Sequence, residues 1–148
     1  MKTTVKVILL TMGVIIATPV YSASPVDGLG VCLVDSLNGK ERKALAKWIF
    51  FAIAAHPEIN TYSSATGGDI QESDEYIGKL ITRLLAENCP GELRKAYEAD
   101  PMAIQKAFEL VGKVAMQELM TDEHVMMAIT NYANYVDQEK LQRVILEK

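Results

Sequence analysis

Cysteine and histidine are scarce in this sequence, which contains two residues of each. A structural zinc site takes four protein ligands and a catalytic one takes three, so carboxylates would have to complete any such site here. No spacing of the acidic residues singles out such a set. His56 follows a predicted helix and His124 lies in the first turn of another, and both positions suit ordinary capping or surface histidines. We therefore predict no metal and no cofactor from these residues.

An excess of positive charge is also absent. Fifteen lysines and arginines stand against 19 aspartates and glutamates, and the net charge is −4. Nucleic-acid-binding proteins carry a basic patch, and an anionic lipid surface repels an acidic chain. The composition therefore predicts no nucleic-acid partner.

Motifs that position a nucleophile or a phosphate are missing as well. The sequence contains no G-x-S-x-G elbow, no S-x-x-K and no Walker pattern. Ser63 and Ser64 lie in a polar stretch without a positioned base, and the acid pair Asp74 and Glu75 is explained by its place at a helix start. We expect the protein not to be an enzyme.

The first 22 residues have the layout of a secretory signal peptide. Two lysines precede an apolar stretch at 7–17, which is shorter than the ~20 residues that a membrane-spanning helix needs. Val20 and Ser22 suit the small-residue positions of a cleavage site, so we expect residues 1–22 to be removed and residues 23–148 to form one domain. Loss of two lysines brings the net charge to −6. The expected location is the periplasm or the exterior, with no membrane anchor.

Cys32 and Cys89 are the only cysteines, and an exported chain enters a compartment where disulfides persist. The alternative is a redox or nucleophilic thiol, but no C-x-x-C motif and no cationic cluster accompanies either residue. A disulfide between Cys32 and Cys89 is the favoured prediction.

Apolar residues recur at spacings of three and four along the chain, and no segment alternates long enough for a strand. This pattern predicts an all-α domain of five or six helices. The central helix is placed at about 39–55, because Asn38 and Glu41 form a capping box and residues 48–55 are apolar on all sides.

The remaining helices follow from caps and apolar stripes. Residues 57–72 read as a long loop, which is a candidate contact region. Gly112 inside a helix predicts a close approach of another backbone. The other helices are expected from Ser73 onward, at 92–99, after Asp100, after Thr121, and after Asp137 with Leu141, Val144 and Ile145 inside.

Aromatic residues and the segment after the apolar run are the candidates for ligand or partner contact. Trp48, Phe50, Phe51 and Ile53 are able to line a cavity between helices. His56 is placed to cap helix carbonyls or to meet Glu58. Tyrosines combine an apolar ring with a polar tip, which suits an interface or a core edge. The full set of candidates is Trp48, Phe51, His56, Glu58, Tyr62, Tyr132 and Tyr135.

Methionines cluster near the second histidine in the stretch "MQELMTDEHVMM". Met116, Met120, His124 and Met127 offer the soft ligands that Cu(I) prefers. A predicted helix break at Thr121 interrupts their common face, and methionine also fills gaps in helical cores. Core packing is the favoured interpretation, and Cu(I) binding is the alternative.

The spans "GKERKALAKWIFFAIAAHPEI" at 39–59 and "VGKVAMQELMTDEHV" at 111–125, with a cysteine between them, resemble small exported helical proteins of Gram-negative bacteria. The resemblance implies export and a helical fold but no activity. In architecture alone the chain also resembles the disulfide-bonded helical immunity proteins of interbacterial toxin systems, although their cysteine and proline patterns are missing.

Together these features predict a non-enzymatic helical protein that binds another protein, as an inhibitor, immunity factor or adaptor. A carrier of a small apolar ligand or of Cu(I) is the alternative. A helix that is apolar on all sides is also able to pack between two subunits, which leaves a homodimer open.

Overall fold

A computed structural model describes residues 24–147 of the chain. The predicted signal peptide at 1–22 lies outside the described residues. All regular structure within the described part is helical, which confirms the all-α prediction. Eight α-helices are present there, so the prediction of five or six is wrong. They are α1 (Pro25–Asp35), α2 (Gly39–Ala54), α3 (Pro57–Asn60), α4 (Gly67–Arg83), α5 (Pro90–Ala99), α6 (Ala103–Met120), α7 (Glu123–Thr130) and α8 (Gln138–Leu146).

Helix α1 was not predicted, and one side of it belongs to the core. Ser24 and Asp27 form a capping box at its start. Its Leu29 and Leu33 are fully buried, and the helix packs against both α5 and α6. Gly30 permits the close contact, because a Cβ there would lie 3.3 Å from Cδ2 of Leu110 and 3.5 Å from the carbonyl oxygen of Ala107. Two glycines and a proline weaken the helical pattern of this segment, which explains why it was missed.

Helix α2 begins as predicted, with Asn38 and Glu41 forming both hydrogen bonds of a capping box. It is not the central helix that the sequence predicted. It lies between α4 and α6 and buries Leu45, Ala46 and Ala54, while the side chains of Phe50 and Ile53 are about half exposed, at 50% and 51%. A helix that is apolar on all sides could be buried on any of them. Which side is buried depends on where the neighbouring helices pack.

The segment 57–72 is not the long loop that its composition suggested. Pro57 begins the short α3, and α4 starts at Gly67 rather than near Ser73. Thr66 and Asp69 form a capping box at the start of α4. The two glycines at 67 and 68 hid this start, because glycine is a poor helix former.

The two cysteines join the end of the α4 region to α1. A π-helical segment, Leu84–Asn88, follows α4 directly and leads into Cys89. The sulfur atoms of Cys32 and Cys89 lie at bonding distance and their Cα atoms are 6.1 Å apart, as the predicted pairing requires. Cys89 is fully buried in the core.

In α6 the sequence predicts an apolar stripe that includes Ala107, Val111 and Ala115, and these three residues are buried. Ala103, Ala107, Val111 and Ala115 are buried at spacings of four, and the helix packs against both α1 and α2. Asp100 does not act as the N-cap, which is Met102. The Asp100 carboxylate instead accepts the N–H of Met102 at 2.8 Å and the ammonium of Lys106 at 2.6 Å.

Residues 121–147 form a C-terminal arm that buries none of its side chains. Asp122 caps α7, a 3-10 segment follows at Asn131–Tyr135, and Asp137 caps α8 as predicted. The expectation that Leu141, Val144 and Ile145 lie inside is wrong, since all three are exposed. Their apolar stripe is present, but no described helix covers it.

Candidate functional site

An apolar cavity of about 310 Å³ lies between α2, α4 and α6. Carbon atoms form nearly all of its wall, and no charged side chain lines it. Ion pairs join α2 to both of these neighbours. Arg42 pairs with Glu118 of α6, and Glu41 pairs with Arg83 of α4. The lining residues are Leu45, Trp48, Ile49, Ile81, Phe108, Val111 and Gly112.

Trp48 is the predicted candidate that the structure places in this cavity. Its indole Nε1–H donates to Oδ1 of Asp74 at 2.8 Å, so the ring is held at the cavity wall by a contact from α4. Phe50, Phe51 and Ile53, which were expected to line the same cavity, do not. The α2 helix turns Phe50 and Ile53 outward.

Phe108 and Gly112 of α6 also line the cavity, and the sequence did not identify them as site residues. The sequence predicted that another backbone approaches Gly112. The structure contradicts this, because a Cβ built on Gly112 meets no atom within 4 Å. Gly112 faces the cavity, whereas the close approach occurs at Gly30.

The last turn of α2 and the segment after it carry four of the predicted contact residues, Phe51, His56, Glu58 and Tyr62. His56 does not cap the carbonyls of α2. It is the N-cap of α3, and its Nδ1 accepts the N–H of Glu58 at 3.3 Å. Phe51 packs against Phe50 with ring centroids 5.9 Å apart, and the ammonium of Lys47 lies 5.8 Å from its centroid. Phe50, Ile53, Ile59 and Tyr62 are exposed here.

Met116, Met120, His124 and Met127 are divided between two helices. The first two lie in the last turns of α6, the others lie in α7, and the break falls at Thr121 as predicted. Met116, His124 and Met127 are exposed. Within residues 24–147 no three histidine, cysteine or acidic side chains are grouped closely enough to hold a metal ion.

A polar cleft of about 550 Å³ lies where the start of α1 meets the start of α6. Several of its polar groups bond each other: Ser24 with Asp27, and Asp100 with Lys106. The Lys106 ammonium, followed by the Met102 N–H, lowers the pKa of the Asp100 carboxyl, and the same contact with Asp100 raises the pKa of Lys106. The Asp100 and Lys106 charges in this cleft are therefore paired with each other.

The C-terminal arm carries many of the exposed large apolar side chains of the described chain. Tyr132 and Tyr135, both predicted contact residues, lie in its 3-10 segment and are 67% and 83% exposed. The other exposed apolar side chains of the arm are Met126, Met127, Ile129, Leu141, Val144, Ile145 and Leu146.

No helix among the described residues combines the length and apolar character that crossing a bilayer requires. No protein-family model, no curated protein and no solved structure matches this chain.

Proposed function

We propose that the chain is a non-enzymatic protein that works by binding another protein, and that the C-terminal arm at 121–147 is its contact surface. In this proposal residues 1–22 direct export and are removed, and the protein acts in the periplasm or outside the cell. An inhibitor, an immunity factor or an adaptor are the roles that fit such a surface.

The observation that carries the proposal is the uncovered apolar stripe of α8, which no other described helix contacts. Val144, Ile145 and Leu146 are 67%, 77% and 78% exposed. Burial of one such side chain contributes roughly 1.5–3 kcal/mol. Soluble monomers rarely leave contiguous apolar patches of this kind uncovered unless the patch binds something. An amphipathic helix that inserts its apolar face into a groove is a common mode of protein recognition.

The charge of the arm indicates what surrounds the groove on the partner. Five acidic residues lie in the arm: Asp122, Glu123, Asp137, Glu139 and Glu147. Lys140 and Arg143 are the only lysine and arginine at 121–147. We therefore expect an apolar groove with a basic rim, since opposite potentials speed encounter and select the partner.

The polar groups of the described residues support binding rather than catalysis. His56 caps α3, the two cysteines are joined, and the wall of the apolar cavity has no titratable side chain. General acid-base catalysis needs such a group within hydrogen-bond reach of the substrate.

A photo-crosslinking amino acid at position 145 of the full chain tests the proposal. The crosslinking is done in cells that produce and export the protein. Position 143 is the matched control, because two residues lie about 200° apart around a helix and Arg143 is on the polar side. We expect position 145 to give one discrete adduct with a different protein and position 143 to give far less.

Equal adducts from both positions, or none from position 145, contradict the proposal. An adduct that contains only two copies of this chain also overturns it, because the arm would then be a self-association surface.

A further inference from the structure

Gly112 has no steric reason to be glycine. It lies in the interior of α6, where glycine is the poorest helix former apart from proline. A crowded neighbour is the usual explanation, and it holds for Gly30, where a Cβ would come within 3.3 Å of Leu110. At Gly112 a Cβ would meet open space. That space is the apolar cavity between α2, α4 and α6.

The size and wall of the cavity define what it can hold. A cavity of about 150 Å³ lined by apolar side chains is large enough for benzene. The present cavity, at about 310 Å³, has room for roughly ten to twelve carbon atoms on the same scale, which reaches the lower end of known ligand sites. Its lining contains no charged side chain, and the one polar group near it, the Trp48 N–H, is bound to Asp74.

We propose that this cavity binds one neutral aliphatic chain of roughly ten carbon atoms, and that Gly112 keeps the space open for it. A charged group would lose its hydration inside without gaining a partner, so the polar end of such a ligand stays at the mouth. The site is independent of the C-terminal arm, because none of the lining residues belongs to the arm.

Trp48 supplies the measurement, since it is the only tryptophan and lines the cavity. We expect 1-decanol to change its fluorescence emission in a saturable way in the full mature chain. In a series of straight-chain alcohols, affinity should rise about fourfold for each added CH₂. The rise should stop near ten to twelve carbons, where the cavity is full.

Two glycine variants separate the cavity from non-specific binding. Gly112→Leu places a side chain in the cavity and should weaken 1-decanol binding at least tenfold. Gly78→Leu is the matched control, because Gly78 is also inside a helix, meets nothing within 4 Å and is exposed on α4 away from the cavity. It should bind 1-decanol as the unchanged protein does.

The proposal is overturned if the unchanged protein shows no saturation, or if Gly112→Leu binds as tightly as Gly78→Leu. Absence of saturation would mean that the cavity is a packing space or takes a protein side chain. If circular dichroism shows that Gly112→Leu is unfolded, Gly112→Ala replaces it. One added methyl group should then lower affinity several-fold and shorten the longest chain accepted.

Discussion

The indole N–H of Trp48 donates to a carboxylate oxygen of Asp74 across 2.8 Å, and this contact ties α2 to α4. The two residues are 26 positions apart, and each was prominent in the sequence for a different reason. Trp48 belonged to an apolar run, and Asp74 looked like an ordinary acid at a helix start. Their contact orients the ring that forms one wall of the cavity, so a polar residue on one helix fixes an apolar surface on another.

Trp48→Phe should lower the free energy of unfolding by about 1 kcal/mol, because the bond is lost while most of the apolar ring remains. Urea unfolding followed by circular dichroism measures this change. Asp74→Ala should cost a similar amount. The double variant should lose little more free energy of unfolding than either single variant, since both substitutions remove the same hydrogen bond. Additive losses in the double variant would show that the contact contributes nothing.

Reduction of the Cys32–Cys89 bond should destabilise the protein by about 4 kcal/mol, because the bond closes a loop of 57 positions in the unfolded chain. Whole domains of this size are stable by only about 5–15 kcal/mol. Urea unfolding with and without dithiothreitol measures the loss, and a Cys32→Ser/Cys89→Ser variant should match the reduced protein and ignore the reagent. An equal midpoint in both conditions would contradict the expectation.

Alanine at two glycines should act in opposite directions. Gly112→Ala should stabilise the protein by up to about 1 kcal/mol, because alanine favours the helix and its Cβ meets open space. Gly30→Ala should destabilise it, because the new Cβ would lie 3.3 Å from Cδ2 of Leu110, which is packed where α1 meets α6. Thermal unfolding of both variants checks the signs, and a stabilising Gly30→Ala would be inconsistent with the close contact.

The Asp100–Lys106 pair should stabilise the protein at neutral pH, and this contribution should be lost in acid. The Lys106 ammonium and the Met102 N–H hold the pKa of Asp100 below its ordinary value of about 4. A lowered folded pKa means that the contribution is present above about pH 4 and is lost as the pH falls through the folded value. Urea unfolding between pH 2 and 7 should therefore show a shallower acid decline for Asp100→Asn than for the unchanged protein.

Part of that decline should remain in Asp100→Asn. Asp69 has its own lowered pKa, caused by the hydroxyl and N–H of Thr66. The double variant Asp69→Asn/Asp100→Asn should be flatter still. Acid profiles that coincide for all three proteins would show that neither carboxyl contributes.

Removal of residues 123–148 should leave the unfolding free energy of the remainder within about 0.5 kcal/mol of the full chain. The described part of this segment buries none of its side chains. By contrast, Leu33→Ala should cost roughly 2–5 kcal/mol, because Leu33 is fully buried. Urea unfolding of both variants gives the comparison. A large loss on truncation would mean that the arm packs on the rest of the chain.

Local signals in the sequence predicted local structure well. The Asn38–Glu41 capping box, the buried stripe of α6 and the Asp137 cap are all present. Each depends on residues three or four positions apart, where backbone geometry alone fixes the relationship. The cysteine pair was predictable for another reason, since the sequence predicts export, disulfides persist in exported proteins, and two cysteines allow one pairing within the chain.

Tertiary packing decided the remainder. Phe50 and Ile53 belong to the most apolar run after residue 22 yet face outward, while α1, despite its glycines, buries Leu29 and Leu33 completely. The cavity depends on three helices that come together from distant parts of the chain, so no single spacing predicts it. Gly112 was noticeable in the sequence as a glycine inside a helix. Only the three-dimensional structure shows that it borders an empty space and not a crowded neighbour.

The position of α1 also affects the order in which the chain can fold. Its buried leucines precede all other helices, but the partners that cover them, α5 and α6, begin only at Pro90 and Ala103. A chain that emerges from its amino end therefore presents α1 uncovered until more than half of its length has followed. Contacts of this separation form slowly and leave apolar surface exposed meanwhile. The interval before α6 emerges is thus when the growing chain most needs protection from aggregation.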